Sequence, residues 1–403
     1  MRQSLVIRHT SLFPGAGPLQ ENMTVRCEDG RIVHVGPDTP LGRPSDRGLE
    51  PRTRPAGEAK PSGDDVIIDL PGCTLMPGII QAHAHAGFKQ LGGVPLRDFH
   101  REYLAACLQA GVTTVRDEGM FLDASLAEVR AARERLDQEG IFPRLCLTGK
   151  FLSAPGGYGG MAPLAVASET EAGERVDEVL QNGMDMVKTV LEDGLDPSTR
   201  GLPKLTAPLL AAICDAAHRR GARVSAHVTQ AHNLRTLVEA GIDDAAHMPF
   251  DPLEDDLIRL MIGKRVSVVP TLTVLKLFQE KYGAPVLEGG MANTRRFVEA
   301  GGIIGLGDDF IEPEAPWYRL GLPYGEMRLL AEAGLTNGQI LTAATAWGAR
   351  MLGMDHEIGT IEPGKAADLL LVEGNPLEAL ACLQQPVMAV KAGRIVMNRG
   401  VSI

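Results

Sequence analysis

Between residues 79 and 307 short apolar runs alternate with amphipathic stretches of helical length, and this alternation constrains the fold more than any other feature. The runs are Ile79–His85, Thr113–Arg116, Arg144–Thr148, Met186–Val190, Arg223–Val228, Asp244–Met248, Val266–Pro270 and Ile303–Gly307. Between them lie helix candidates with recognisable ends. One covers Leu122–Glu139 and stops at Gly140. Another starts at Ser168, where Ser168 and Glu171 have capping-box spacing, and stops at Gly183. A third starts at Thr206, carries Pro208 in its first turn and ends at Gly221. Eight strand-like runs with helical intervals over about 250 residues fit an α/β fold of the (β/α)8, TIM-like barrel type. An open doubly wound sheet is the alternative, but it lacks the Gly-rich dinucleotide turn.

Both ends of the chain have a different texture. Leu5–Ile7, Met23–Val25 and Arg31–Val35 read as strands, with Glu28-Asp29-Gly30 as a hairpin turn. Ala367–Val372, Val387–Val390 and Ile395–Met397 read likewise, with a turn at Lys391–Arg394. We expect residues 1–75 and 350–403 to form one small β-sandwich domain and 76–349 the barrel. Residues 40–65, rich in Pro, Gly, Arg and Ser and without periodicity, are expected to be a loop insertion.

A chain of 403 residues suits this division. Forty Lys+Arg against 51 Asp+Glu leave a formal charge of -11, which argues against a nucleic-acid or anionic-membrane surface. Aromatic residues at 4% are too few for single-strand stacking platforms. The six cysteines are scattered without a CxxC pair, so neither a zinc ribbon nor a disulfide framework is indicated. No secretory h-region and no membrane-length apolar run is present, so a cytoplasmic enzyme acting on a small molecule is expected.

The strongest local signal is Gln81-Ala82-His83-Ala84-His85. On a strand, positions i and i+2 share a face, so His83 and His85 can approach one ion at the end of the first run. His227, His247 and Asp308 close three further runs just before a loop, which in a parallel barrel brings them to the same rim. Imidazole and carboxylate suit a zinc-like divalent ion. Lys188 lies inside an apolar strand, where an amine is costly unless paired or neutral. It is either a lysine whose head meets a carboxylate or water, or a neutral amine that takes up carbon dioxide as a carbamate.

With these residues in place, the chain resembles the amidohydrolase superfamily of metal-dependent hydrolases, in its prolidase-like and imidazolonepropionase-like branches. The likeness is carried by Met76–His85, Gly111–Asp117, the Lys188 strand, His227, His247, Gly307-Asp308 and Gly359–Leu369. It implies a binuclear centre of two divalent ions, with zinc as the default. His83, His85 and Asp308 would hold one ion and His227 and His247 the other. Carbamylated Lys188 and a hydroxide would bridge them, and Asp308 would pass the proton from the hydroxide to the leaving nitrogen. Relatives in these branches hydrolyse amide bonds in dipeptides or N-acyl amino acids, and barrels of this type often form homo-oligomers.

Two tyrosines depart from the likeness. Tyr158, in the Gly-rich segment Ser153–Gly160, and Tyr324, ahead of a helix, stand where relatives often carry histidine, and both are candidate substrate-binding residues. Arg116, beside Asp117 at the second strand end, is a third, with a structural clamp as the alternative. Trp317, Tyr318 and Arg319 are read as either a pocket wall or an exposed cluster. Other chemistries use similar metal sites. A lactonase, esterase or organophosphate hydrolase would share the ligand set, and a mononuclear deaminase or ring hydrolase would leave Lys188 unmodified. A non-catalytic scaffold would be expected to have lost some of these ligands.

Overall fold

The computed structural model describes residues 4–38, 65–87, 99–119, 124–159, 162–310 and 318–401. The insertion expected over 40–65 lies outside these residues except for Asp65, as does Trp317.

Strands from the two ends of the chain meet in one sheet of eight. Its hydrogen-bonded path runs through Arg394–Asn398, Met388–Lys391, Leu369–Glu373, Cys73–Pro77, Ser4–Leu12, Gln20–Glu28 and Arg31–Pro37, with Asp65–Asp69 also on Ser4–Leu12. Both expected turns form. Asp29 and Gly30, and then Ala392 and Gly393, have positive φ, the conformation a two-residue hairpin requires. Leu5, Ile7, Val25, Ile32, Leu75, Leu371 and Met388 alternate along these strands into one core. The central pairing is between distant segments, with Leu369 opposite Pro77 and Glu373 opposite Cys73.

The middle of the chain is a parallel α/β array. Ile79–Ala84, Val112–Asp117 and Arg144–Leu147 form one parallel sheet. Leu164–Ala165, Phe151–Ser153, Val187–Val190, Val224–His227, Asp244–Ala246 and Ser267–Val269 form another. The two short strands at Phe151 and Leu164 were not legible in the sequence. The last apolar run, Ile303–Gly307, is extended rather than laddered. Val268 bridges Ile304, Leu306 accepts from the Ala82 amide at 2.7 Å, and Ala84 bridges Asp309. At the other gap, Leu147 accepts from the Met186 amide at 3.2 Å.

Helices cover the outside. The first long one is Leu126–Glu139, shorter than expected because Ser125 and Glu128 form a full capping box. Ser168 caps Glu169–Gln181 as its spacing implied, and Ala207–Arg219 follows Thr206 with proline in its first turn. Leu136, Val176, Val179, Ile213 and Leu237 on these helices join Val187, Val224 and Ala245 of the strands in the main core. A second, inner cluster holds Ile80, Ala82, Cys146, Met186 and Val269. No helix among the described residues is long and apolar enough to cross a membrane.

Candidate metal centre

His83 and His85 reach the site through a break in strand regularity. Ile80 and Ala82 belong to the inner cluster, yet Ala84 packs with the outer core beside Ile79. Strict alternation from Ala82 would send His83 outward. A register shift between Gln81 and Ala84 re-aims the pair. On the neighbouring strands period two holds. Val224 and Ala226 face the outer core, while Ser225 and His227 face the opposite side.

Three imidazoles, those of His83, His85 and His247, gather at one carboxylate, with His227 beside the third, and that carboxylate belongs to Asp309, not Asp308. Asp309 Oδ1 lies 2.7 Å from His83 Nε2 and 3.2 Å from His85 Nε2. Ligand atoms of His83, His247 and Asp309 all fall within 4.8 Å of one another. His227 Nδ1 and His247 Nε2 are 3.1 Å apart. The expected Asp308 points elsewhere, accepting a hydrogen bond from Gln81 Nε2 at 2.6 Å, and burial pushes its carboxyl up to about 7. The reason for the offset is local backbone. Asp309 and Phe310 have φ of 68° and 48°, a left-handed step that turns Asp309 inward. It is pinned by hydrogen bonds from the Asp309 amide to the His83 carbonyl at 3.0 Å and from the His85 amide to the Asp309 carbonyl at 3.2 Å. Phe310 then stacks on Tyr103 with ring centroids 3.7 Å apart.

Outer partners orient the rings. His85 Nδ1 lies 3.0 Å from the Gly119 carbonyl. A carbonyl only accepts, so Nδ1 carries the proton and Nε2 is left as the ligand atom. Thr271 holds His247 Nδ1, and Glu192 lies 3.3 Å from His227 Nε2. Glu192 is itself fixed by Thr229, Gln230 and the amides of Gly194 and Leu195. Burial outweighs the Asp309 charge at His83 and pulls its imidazole down to about 4; His247 is lowered further by the same cause. At His85 burial works the same way, but Asp309 and Asp117 more than offset it and raise the ring. Asp309 is held well below the usual carboxylate range, because His85 and His83 together outweigh its burial.

These residues fit a cation. Neither ring nitrogen of His83 nor Asp309 Oδ1 makes a hydrogen bond of ordinary geometry, although all are buried. Buried polar atoms without partners are rare, and a bound ion is one explanation. At His83 and His247, a neutral imidazole facing an ionised carboxylate is also the protonation state that metal binding needs.

Lys188 sits in the wall of the same cavity, 0% exposed. Its ammonium meets Glu118 and lies 3.5 Å from Ser225 Oγ. Glu118 is a residue the sequence reading passed over. Its signal was present, three consecutive charged residues (Arg116, Asp117, Glu118) closing an apolar run. Burial alone would raise Glu118, but Arg116 and Lys188 hold it well below its usual range.

The three candidate substrate residues separate. Tyr158 lines the cavity, its ring 4.8 Å from that of His227. Arg116 does not. It is 0% exposed and forms a bidentate pair with Asp244 at 2.9 and 3.0 Å, a second pair with Glu118 and a bond to the Ala82 carbonyl. It is therefore a clamp between strands, and its partner is Asp244 rather than Asp117. Asp117 instead accepts from the amides of Gly87 and Gly119. Tyr324 lines a separate cavity of about 1140 Å³, together with Asp308, Tyr318 and Arg319.

Comparison with known proteins agrees with this geometry. The Amidohydrolase family profile matches residues 74–396. An uncharacterized protein of Mycobacterium tuberculosis (strain ATCC 25618 / H37Rv) is 29% identical over 83% of this chain and 87% of its own. The imidazolonepropionase of Anaeromyxobacter sp. (strain K) is 27% identical, covering 96% and 91%. Among solved structures, a Xaa-Pro dipeptidase with bound methionine superposes with a TM-score of 0.80 at 22% identity, covering 98% of this chain and 99% of the other. A putative prolidase from Bifidobacterium longum gives 0.77 at 27% identity, covering 98% and 94%. The chain belongs to the amidohydrolase family, a family of hydrolytic enzymes.

Proposed function

We propose that this protein is a metal-dependent hydrolase of C–N bonds acting on the amide of a small peptide-like or N-acylated molecule. The gathering of His83, His85 and His247 at Asp309, with His227 against His247, carries the reading. It is supported by family membership and by the imidazolonepropionase and prolidase likenesses. The two parallel sheets, linked through Leu147 and Met186 on one side and Ile304–Asp309 on the other, are read as arcs of one (β/α)8 barrel. All the candidate ligands then share its C-terminal rim.

His83, His85 and Asp309 would hold one divalent ion, and His227 and His247 a second, with zinc as the default for this donor set. Bound there, such ions polarise a carbonyl and make water nucleophilic near neutral pH. The protein's own groups do the rest. Asp309 takes the proton of the attacking water and delivers it to the leaving nitrogen. Tyr158, a neutral phenol kept protonated by burial, donates to the oxygen on which charge develops. Glu118 is placed to accept a proton from the Lys188 ammonium, the step that must precede carbamate formation. The carbamate would keep one N–H for Glu118 while its carboxylate joins the metal ligands.

The Lys188–Glu118 ion pair also favours a second reading, a mononuclear enzyme in which Lys188 stays an ammonium. Metal analysis and intact-peptide mass spectrometry after zinc and bicarbonate treatment separate the two. Near two ions per chain with a carboxylated Lys188 supports the binuclear hydrolase. One ion with an unmodified lysine supports the second reading, and no metal removes both.

A further inference from the structure

The cavity beside the histidines is lined in a way that speaks to substrate charge. The space between its walls, solvent opening included, is about 530 Å³. Phe151 lines it beside His85 and Lys188, and where the segment after Val187–Val190 meets helix Leu272–Tyr282 its walls are Leu195, Val274 and Phe278, all apolar. Polar lining on that side comes from Thr199 and Asp196. Asp196 is half-buried on the segment after strand Val187–Val190. It accepts from the Ser198 amide at 2.8 Å and from the Tyr282 hydroxyl at 3.4 Å. Those neutral donors, helped by Lys281 nearby, outweigh burial and keep it ionised. Among the described lining residues the one lysine or arginine is Lys188, already engaged by Glu118. Arg116, a candidate substrate-binding residue, is locked to Asp244, while Arg319 and Arg328 line the other cavity.

We infer that this site selects amides whose flanking group is apolar and carries no negative charge, and discriminates against those ending in a free α-carboxylate. The inference rests on the amide-hydrolase reading above. A carboxylate bound against that wall would face Asp196 and exchange water for Phe278 and Val274, with no guanidinium among the described lining residues, which is costly for an unpaired charge. An apolar group there loses nothing polar and buries its surface against Leu195, Val274 and Phe278. The inference separates this chain from the dipeptidase it resembles in fold.

The test uses matched pairs on the full-length, zinc-loaded protein: N-acyl-phenylalanine against the N-acyl-phenethylamine that differs only in lacking the carboxylate, with acetyl, hexanoyl and benzoyl as acyl groups. Binding is followed by calorimetry and amine release by mass spectrometry. The neutral member is expected to show at least about tenfold higher affinity and kcat/KM. Asp196→Asn should narrow that gap and Asp196→Lys narrow it further. Equal or better binding of the free acids overturns the inference, as does binding of neither member, or a gap that neither Asp196 variant moves. A clear binding preference with no hydrolysis of either member supports the selection and overturns the hydrolase reading instead.

Discussion

At the scale of single residues, the site turns on which of two adjacent aspartates faces the histidines. Asp309 lies at 2.7 Å from His83, whereas Asp308 is tied to Gln81 on the far side of the backbone. Asp309→Asn is expected to lower kcat by about 10²–10⁴-fold, the usual contribution of a positioned acid–base group, and to weaken zinc retention. Asp308→Asn should keep the metal and lose less than about tenfold. Steady-state kinetics and metal analysis on the two variants check this, and the opposite ranking would restore Asp308 to the role its place in the sequence suggested. The histidines were legible because strand ends are a sequence property, although a register shift, not alternation, aims His83 and His85. The aspartate was not, because the two are adjacent and only the left-handed backbone at Asp309 and Phe310 decides between them. Glu118 and Glu192 were missed for a related reason. Each lies beyond the end of an apolar run, and its partner comes from a different strand.

At the scale of elements, two buried polar contacts hold strands and helices in place. Arg116 joins strand Val112–Asp117 to strand Asp244–Ala246. Arg116→Ala would leave the Asp244 carboxylate uncompensated in the interior and Glu118 with Lys188 alone, and is expected to cost about 3–5 kcal/mol in urea unfolding. Glu326 is the second. Its carboxylate accepts from the amides of Leu272 and Thr273 and so caps helix Leu272–Tyr282, whose own N-cap residue makes no such bond. Burial raises Glu326 to about 8, from 4.5. The folded state then holds a proton that the unfolded chain releases, so stability should fall as pH rises from about 4.5 to about 8. Asp308, raised to about 7, acts in the same direction. Glu326→Gln should flatten part of that slope, read as urea midpoints across the pH range; an unchanged slope would show that Glu326 does not titrate there. The cap at Ser168 could be read from the sequence because it depends on a neighbour three residues away. A cap supplied from residue 326 to residue 272 could not.

At the scale of the whole molecule, the terminal sheet passes directly into the parallel array at residues 77–79 and takes the chain back at Leu369. Strand Cys73–Pro77 pairs with Ser4–Leu12 on one side and Leu369–Glu373 on the other, and the first strand of the parallel array begins at Ile79. Truncation after residue 366 would expose Leu75 and unpair the strand that anchors the HxH segment. Such a chain is expected to yield little soluble protein and to retain less than half the zinc of the full chain per folded molecule. Expression, size exclusion and metal analysis test this. Near-normal metal binding in the truncated chain would show that the array folds without its terminal sheet.

The sequence by itself determined the period of each element, the hairpin turns, the local caps and the strand-end positions of His83, His85, His227 and His247. All of these depend on interactions among residues close in the chain. Tertiary structure decided the rest. It chose Asp309 over Asp308, turned Arg116 from a candidate ligand contact into a clamp, sent Tyr324 to a different cavity from Tyr158, and set Glu118 against Lys188. Each of those outcomes is a contact between segments tens to hundreds of residues apart, where the backbone's direction at one residue determines which side chain a buried charge meets.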